Sequence, residues 1–126
     1  MPGWLWVAIG GATGAVCRHA VNHITAGEKG ALIATLLVNV GGCFLIGFFA
    51  HWFSTQASGF WPAHARLLLA TGFCGAFTTM SALALETYHL WDDGQPMASI
   101  GYLVANGALS VLALVVGLAA ARSVLA

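Results

Sequence analysis

The chain has 126 residues, 60% hydrophobic and 6% charged, with a mean hydropathy of +0.87. Soluble domains carry about 25% charged residues, so the composition excludes a soluble enzyme, and hydrophobicity this high excludes disorder. Four Lys and Arg balance four Asp and Glu, leaving no basic field for nucleic acid, and three cysteines without CxxC or zinc spacing exclude a metal or disulfide scaffold.

What remains is an all-α integral membrane protein. A spanning helix needs roughly 20 apolar residues, and four stretches qualify: Trp4 to Ala26, Ala31 to Phe53, Leu67 to Leu85 and Met97 to Ala121. They predict four transmembrane helices over about 4–26, 31–53, 65–91 and 97–122, in one domain covering 1–126. Gly27-Glu28-Lys29-Gly30 reads as a tight turn, Ser54 to Pro62 as a loop, and Asp92-Asp93-Gly94-Gln95-Pro96 as the strongest breaker. The first stretch has no basic leader and is too long for a signal's apolar region, so it is read as a retained helix. The apolar runs do not alternate, which excludes barrel strands.

In the first helix Gly10, Gly14 and Arg18 recur every four residues on one face. Small residues at this spacing admit a neighbouring backbone. Arg18 is either an interfacial anchor that snorkels or a cation at the mouth of an anion path. Asn39 lies midway along the second helix among Gly41, Gly42 and Gly47. Its amide offers two donors, either for an interhelical hydrogen bond or for a ligand.

The middle of the third helix reads Thr71-Gly72-Phe73-Cys74-Gly75-Ala76-Phe77-Thr78-Thr79-Met80-Ser81. Two glycines and a hydroxyl cluster weaken a helix at one point. A helix broken near mid-membrane frees backbone groups that commonly bind ions; the alternative is a kinked helix with hydroxyls bonded to the preceding turn. In the fourth helix Tyr102, Asn106 and Ser110 recur every four residues, which makes one polar stripe, either a path or a packing seam. His19 and His23 are four apart but lack a third ligand, and are read as interfacial. Trp4, Trp6, Trp52, Trp61 and Trp91 suit an aromatic belt, and Cys17, Cys43 and Cys74 suit small buried apolar sites.

Four crossings put both termini on one side. Arg66 and Arg122 then face Lys29, almost no bias for orientation. Such a chain can insert both ways and pair as an antiparallel dimer, although a small bias can also suffice for a single orientation. Four helices alone leave little room for an aqueous path, so a transport route favours a dimer.

GGATGAVCRH, VNVGGCFLIG and TGFCGAFTTMSALALET, in that order, resemble the Fluc (CrcB) fluoride channels over nearly the whole chain. The resemblance implies an antiparallel dual-topology homodimer in the plasma membrane, the inner membrane of a bacterium, with two fluoride pores. It implies that Asn39 donates toward the ion and that the carbonyls of Gly75 and Thr78 hold a central structural sodium ion. It places Thr79, Ser81, Tyr102, Asn106 and Ser110 along the pore, and Arg18 and Glu86 at its vestibule. The family pattern TTFSTF reads TTMSAL here, so Met80 and Leu83 stand where two phenylalanines present ring edges to the ion. A phenyl edge carries partial positive charge, whereas a thioether is at best an acceptor. The competing reading is a four-helix, dual-topology, proton-coupled multidrug exporter, for which Glu86 would be the coupling acid. No nucleotide-binding pattern supports active pumping.

Overall fold

The computed structural model describes residues 1–55 and 60–125, without the side chains of 60–62. Those residues form helices and turns, with no strand among them. Helix α1 spans Gly3–Ile24, α2 Gly30–Thr55 and α3 Phe60–Ala65. A π-helical stretch, Arg66–Cys74, continues α3 and leads through the single turn α4 (Gly75–Phe77) to a break. Helix α5 resumes at Met80–Asp92, and α6 runs over Pro96–Val124.

Among the described residues, three runs are long and apolar enough to cross a membrane: Gly30–Thr55, Ala63–Asp92 and Pro96–Val124. Large apolar side chains lie bare along their outer faces, Val104, Val111 and Val115 among them. A soluble fold does not leave so much apolar surface uncovered. The chain is therefore a multi-pass membrane protein.

The turns follow from local chemistry. After α5, Gly94 takes φ +75°, Gly94 N–H donates to Trp91 O at 3.1 Å and Gln95 N–H donates to Leu90 O at 2.9 Å. This pair of bonds satisfies the last carbonyls of the helix, and a positive φ is least costly at glycine. Pro96 then opens α6, where its missing N–H costs nothing. Both ends of the expected loop from Ser54 to Pro62 are helical. Ser54 and Thr55 still belong to α2, 56–59 lie outside the described residues, and α3 begins at Phe60. Pro62 falls in the first turn of α3, where a backbone N–H has no helical partner anyway.

Glycines set the two main helix contacts. A Cβ at Gly47 would lie 2.1 Å from Leu114 O, and one at Gly117 would lie 2.1 Å from Phe44 O. Helices α2 and α6 therefore touch backbone to backbone. Helix α1 meets the π-helical stretch in the same way, with Gly10 against Leu68 O and Gly14 against Phe73 O. Leu68 and Phe73 are five apart, the hydrogen-bond span of a π-helix. Gly47→Val should therefore prevent tight α2–α6 packing, because backbone on the far side cannot move aside as a side chain can. Overpacking costs about 1–3 kcal/mol even in deformable cores. The expected result is loss of the monodisperse peak in detergent; a wild-type melting temperature would contradict the packing.

Candidate functional site: a polar seam at a helix break

Thr78 and Thr79 are extended, with φ/ψ of −80°/158° and −150°/114°. They lie close to the middle of the 30-residue run Ala63–Asp92. The two threonines act in opposite directions. Thr78 Oγ1 donates to Cys74 O at 2.9 Å and closes the helix before the break. Thr79 Oγ1 accepts from Ala82 N–H at 3.2 Å and caps the helix after it. A threonine cap of this kind is worth about 1 kcal/mol. Gly42 makes room for the Thr78 methyl, since a Cβ there would lie 2.3 Å from Thr78 Cγ2.

The break redirects backbone hydrogen bonds. In an unbroken helix Thr79 N–H would donate to Gly75 O, and Ala82 N–H to Thr78 O. Here Thr79 N–H donates to Asn39 Oδ1 at 2.7 Å, and Ala82 N–H turns to the Thr79 hydroxyl. The carbonyls of Gly75 and Thr78 thus lose their helical donors. Arg18 Nη1 reaches Thr78 O at 3.4 Å, longer than a strong N–H···O bond.

Asn39 crosses the break from α2. Its Nδ2 donates to Thr79 O at 3.1 Å and to Asn106 Oδ1 at 3.0 Å. Thr79, Asn39 and Asn106 are all buried. Asn106 Nδ2 and Ser110 Oγ are buried without a hydrogen-bond partner. A second cluster lies along the same seam. Thr35 Oγ1 donates to Glu86 Oε1 at 2.8 Å, and the Tyr102 hydroxyl lies within hydrogen-bond reach of Glu86 Oε2 and of Leu32 O.

Beside the break opens a cavity of about 320 Å³, with Arg18, Asn22, Thr35, Thr79 and Ser81 among its lining residues. Of the described residues that line it, Arg18 carries the one formal charge. Ser81 Oγ lies 3.3 Å from Thr79 Oγ1, so hydroxyls continue from the cavity to the break.

Met80 and Leu83, which the sequence resemblance sets against two phenylalanines, diverge. Met80 is 69% exposed, whereas Leu83 is 4% exposed and belongs to the core. Phe77 stacks on Phe73 with centroids 5.4 Å apart and packs near Gly41. Met80→Phe should leave the fold unchanged, because the added ring meets no packed neighbour. Leu83→Phe should lower thermal stability, because the larger ring must enter the core. Parallel melting curves check the contrast.

His19 and His23 are both exposed. No cluster of three His, Cys, Asp or Glu side chains occurs among the described residues. Two participants escape the sequence reading. Thr35 lies four residues before Asn39, on the same helical face, and that spacing is the signal for it. Ser99 donates to Thr87 O at 2.6 Å and extends the α6 stripe one turn toward the start of the helix.

A multi-pass helical protein, with an interrupted helix held by uncharged amides and hydroxyls and a cationic cavity beside it, has the form of a small-ion conduit. The chain belongs to the CrcB family: residues 5–118 match the family described as "CrcB-like protein, Camphor Resistance (CrcB)". A relative from Methanopyrus kandleri, named fluoride-specific ion channel FluC, is 42% identical over 94% of this chain and 88% of its own length. A relative of the same name from Rhizobium leguminosarum bv. trifolii is 41% identical over 94% of this chain and 95% of its own. A third, from Paracoccus denitrificans, is 38% identical over 98% and 97%.

Proposed function

We propose that this chain is a passive fluoride-selective channel that exports fluoride from the cytoplasm. The observation that carries the reading is the cluster of uncharged amides and hydroxyls at the break. Fluoride is small and strongly hydrated, and stripping its water in a low-dielectric interior costs far more than one contact returns. A path must supply donors at successive steps without trapping the ion as a fixed ammonium would. The Ser81 and Thr79 hydroxyls, the Asn106 amide and the Ser110 hydroxyl are neutral donors of this kind. Arg18 stands at the wider end, where attraction raises local anion concentration without a deep trap. A potential of about 100 mV supplies roughly 2.3 kcal/mol per charge for exit, so no pump is required. The name shared by the relatives supports the same ion.

The working unit is an antiparallel dual-topology homodimer with two pores, and α1 crosses the bilayer as the fourth span. At 22 residues α1 has the length for this. The bare apolar faces leave room for a second copy, and the sparse basic residues impose little orientation. The sodium ion that the family resemblance implies fits the donor set. The Gly75 and Thr78 carbonyls are hard oxygen ligands released from the helix, the kind a hard cation prefers. Two from each copy would hold the ion, which supplies a static charge that ties the copies together.

Purified protein in liposomes, read with a fluoride electrode, tests the proposal. Fluoride efflux that a potassium ionophore sustains, with chloride retained and no need for a proton gradient, is the expected result. Efflux that demands a proton gradient would indicate the exporter instead, and no anion leak at all would refute the channel.

A further inference from the structure

The two ends of the helix bundle differ in charge. Helices α2 and α6 run parallel: Leu32 O lies within reach of the Tyr102 hydroxyl near their starts, and Gly117 packs on Phe44 O toward their ends. Arg122, in the last turn of α6, therefore lies at the end of the bundle where α2 finishes. Arg66 lies at the same end, near the start of the third span, with its guanidinium carbon 5.6 Å from the centroid of the Phe53 ring. None of the four Asp and Glu side chains of the chain shares that end. Glu28 precedes α2, Asp92 and Asp93 close α5 beside the start of α6, and Glu86 is held by Thr35 within the seam.

Arg66 is exposed and makes neither an ion pair nor a hydrogen bond with the described residues. Its contact is the face of Phe53, a buried ring. A cation within about 6 Å of a ring centroid is attracted to it, which steadies the guanidinium without satisfying its N–H donors. Beside it opens a cleft of about 280 Å³, lined by Ile46, Ala50 and Phe53 from α2 and by Arg66 and Ala70 from the third span. Arg66 is the one charge among the described residues that line it, and the others are apolar. From Phe53 back to Ile46 the cleft follows α2 for about 10 Å, away from the charged end and toward mid-membrane. Ala50 and Ala70 add little bulk, which keeps it open. A helix is 10–12 Å across with its side chains, so a single turn fills roughly 400 Å³ or more. The cleft is too small for that, and a hydrocarbon chain is slender enough.

We propose that this cleft binds one anionic phospholipid, with its phosphate on Arg66 and an acyl chain along Ile46, Ala50 and Ala70. A guanidinium offers paired N–H donors that match phosphate oxygens, and such charge-assisted bonds are stronger than neutral ones. Contact along the acyl chain separates this site from an arginine that only snorkels to the nearest headgroup. The site faces lipid and stands apart from the break, so it does not depend on which ion the chain passes.

The test uses the full chain, delipidated in detergent and titrated with dioleoylphosphatidylglycerol. The melting temperature should rise and saturate, as it does when a ligand binds the folded state alone, and native mass spectra should show one lipid retained per chain. Dioleoylphosphatidylcholine should need a higher concentration for the same shift, and glycerol 3-phosphate, a headgroup without a chain, should give none. Arg66→Gln should raise the phosphatidylglycerol concentration at half-shift by about tenfold or more, the loss expected for a charge-assisted bond. Ala50→Phe fills the cleft from an exposed position, leaves the charge in place and should weaken binding to a similar degree. Arg122→Gln, outside the cleft, should titrate like the wild type. Wild-type titration of Arg66→Gln or of Ala50→Phe would overturn the site, as would glycerol 3-phosphate matching the lipid. Dissociation of a dimer by Arg66→Gln in lipid-free detergent would also overturn it, because the anion on Arg66 would then be a carboxylate of a second copy.

Discussion

Asn39→Asp should abolish measurable fluoride efflux and lower the melting temperature as well. The carboxylate can still accept from Thr79 N–H, where Asn39 Oδ1 now accepts at 2.7 Å. Its other oxygen would face Thr79 O and Asn106 Oδ1, two acceptors with no donor between them. Either the carbonyl moves and the break opens, or Asn106 turns over and spends its open donor on the new carboxylate. Each route closes the path for an anion, and the added negative charge repels fluoride directly. Truncating one side of a buried hydrogen-bonded pair costs about 1–3 kcal/mol, and more where charge is involved. Efflux and a thermal melt on one preparation check both halves. Near-wild-type flux would remove the second helix from the conduction route.

That prediction shows where the sequence could be read and where it could not. The apolar runs announce their helices, because continuous hydrophobicity of this length has few other uses. The cluster Thr71 to Ser81 announces a weak point, and the break falls at Thr78 and Thr79 within it. The stripe Tyr102, Asn106, Ser110 keeps its register, because helical periodicity is a local property. The π-helical stretch Arg66–Cys74 is not legible. Its i→i+5 hydrogen bonding has no composition of its own, and the backbone that lies against it belongs to α1, about sixty residues away. The state of the Asn39 amide is hidden for a similar reason. A lone asparagine among glycines offers two donors on paper, and only the Thr79 carbonyl, forty residues on, and Asn106 Oδ1 on the last helix show that both are used. Side-chain direction at Met80 and Leu83 is equally unreadable. Those residues are three apart on one helix, and neighbouring elements decide that one is bare and the other buried.

Arg18→Glu should reduce fluoride efflux by about tenfold or more while leaving the fold intact. The guanidinium is the one formal charge among the described residues lining the cavity beside the break. Its structural tie is weak, a single 3.4 Å approach to Thr78 O, so its removal leaves no tight buried pair broken. The charge matters for entry. Two unit charges 4 Å apart interact by about 4 kcal/mol at an effective dielectric of 20, and solvent in the open cavity reduces that value. Even a residual ~1.4 kcal/mol corresponds to tenfold in occupancy. Arg18→Gln removes the attraction without adding repulsion and should fall between Arg18→Glu and the wild type. Raising salt should narrow the spread among the three, because screening acts on exposed charges and spares buried donors. If Arg18 were instead an anchor to the bilayer surface, both variants would express poorly, and those molecules that insert would conduct like the wild type at every ionic strength.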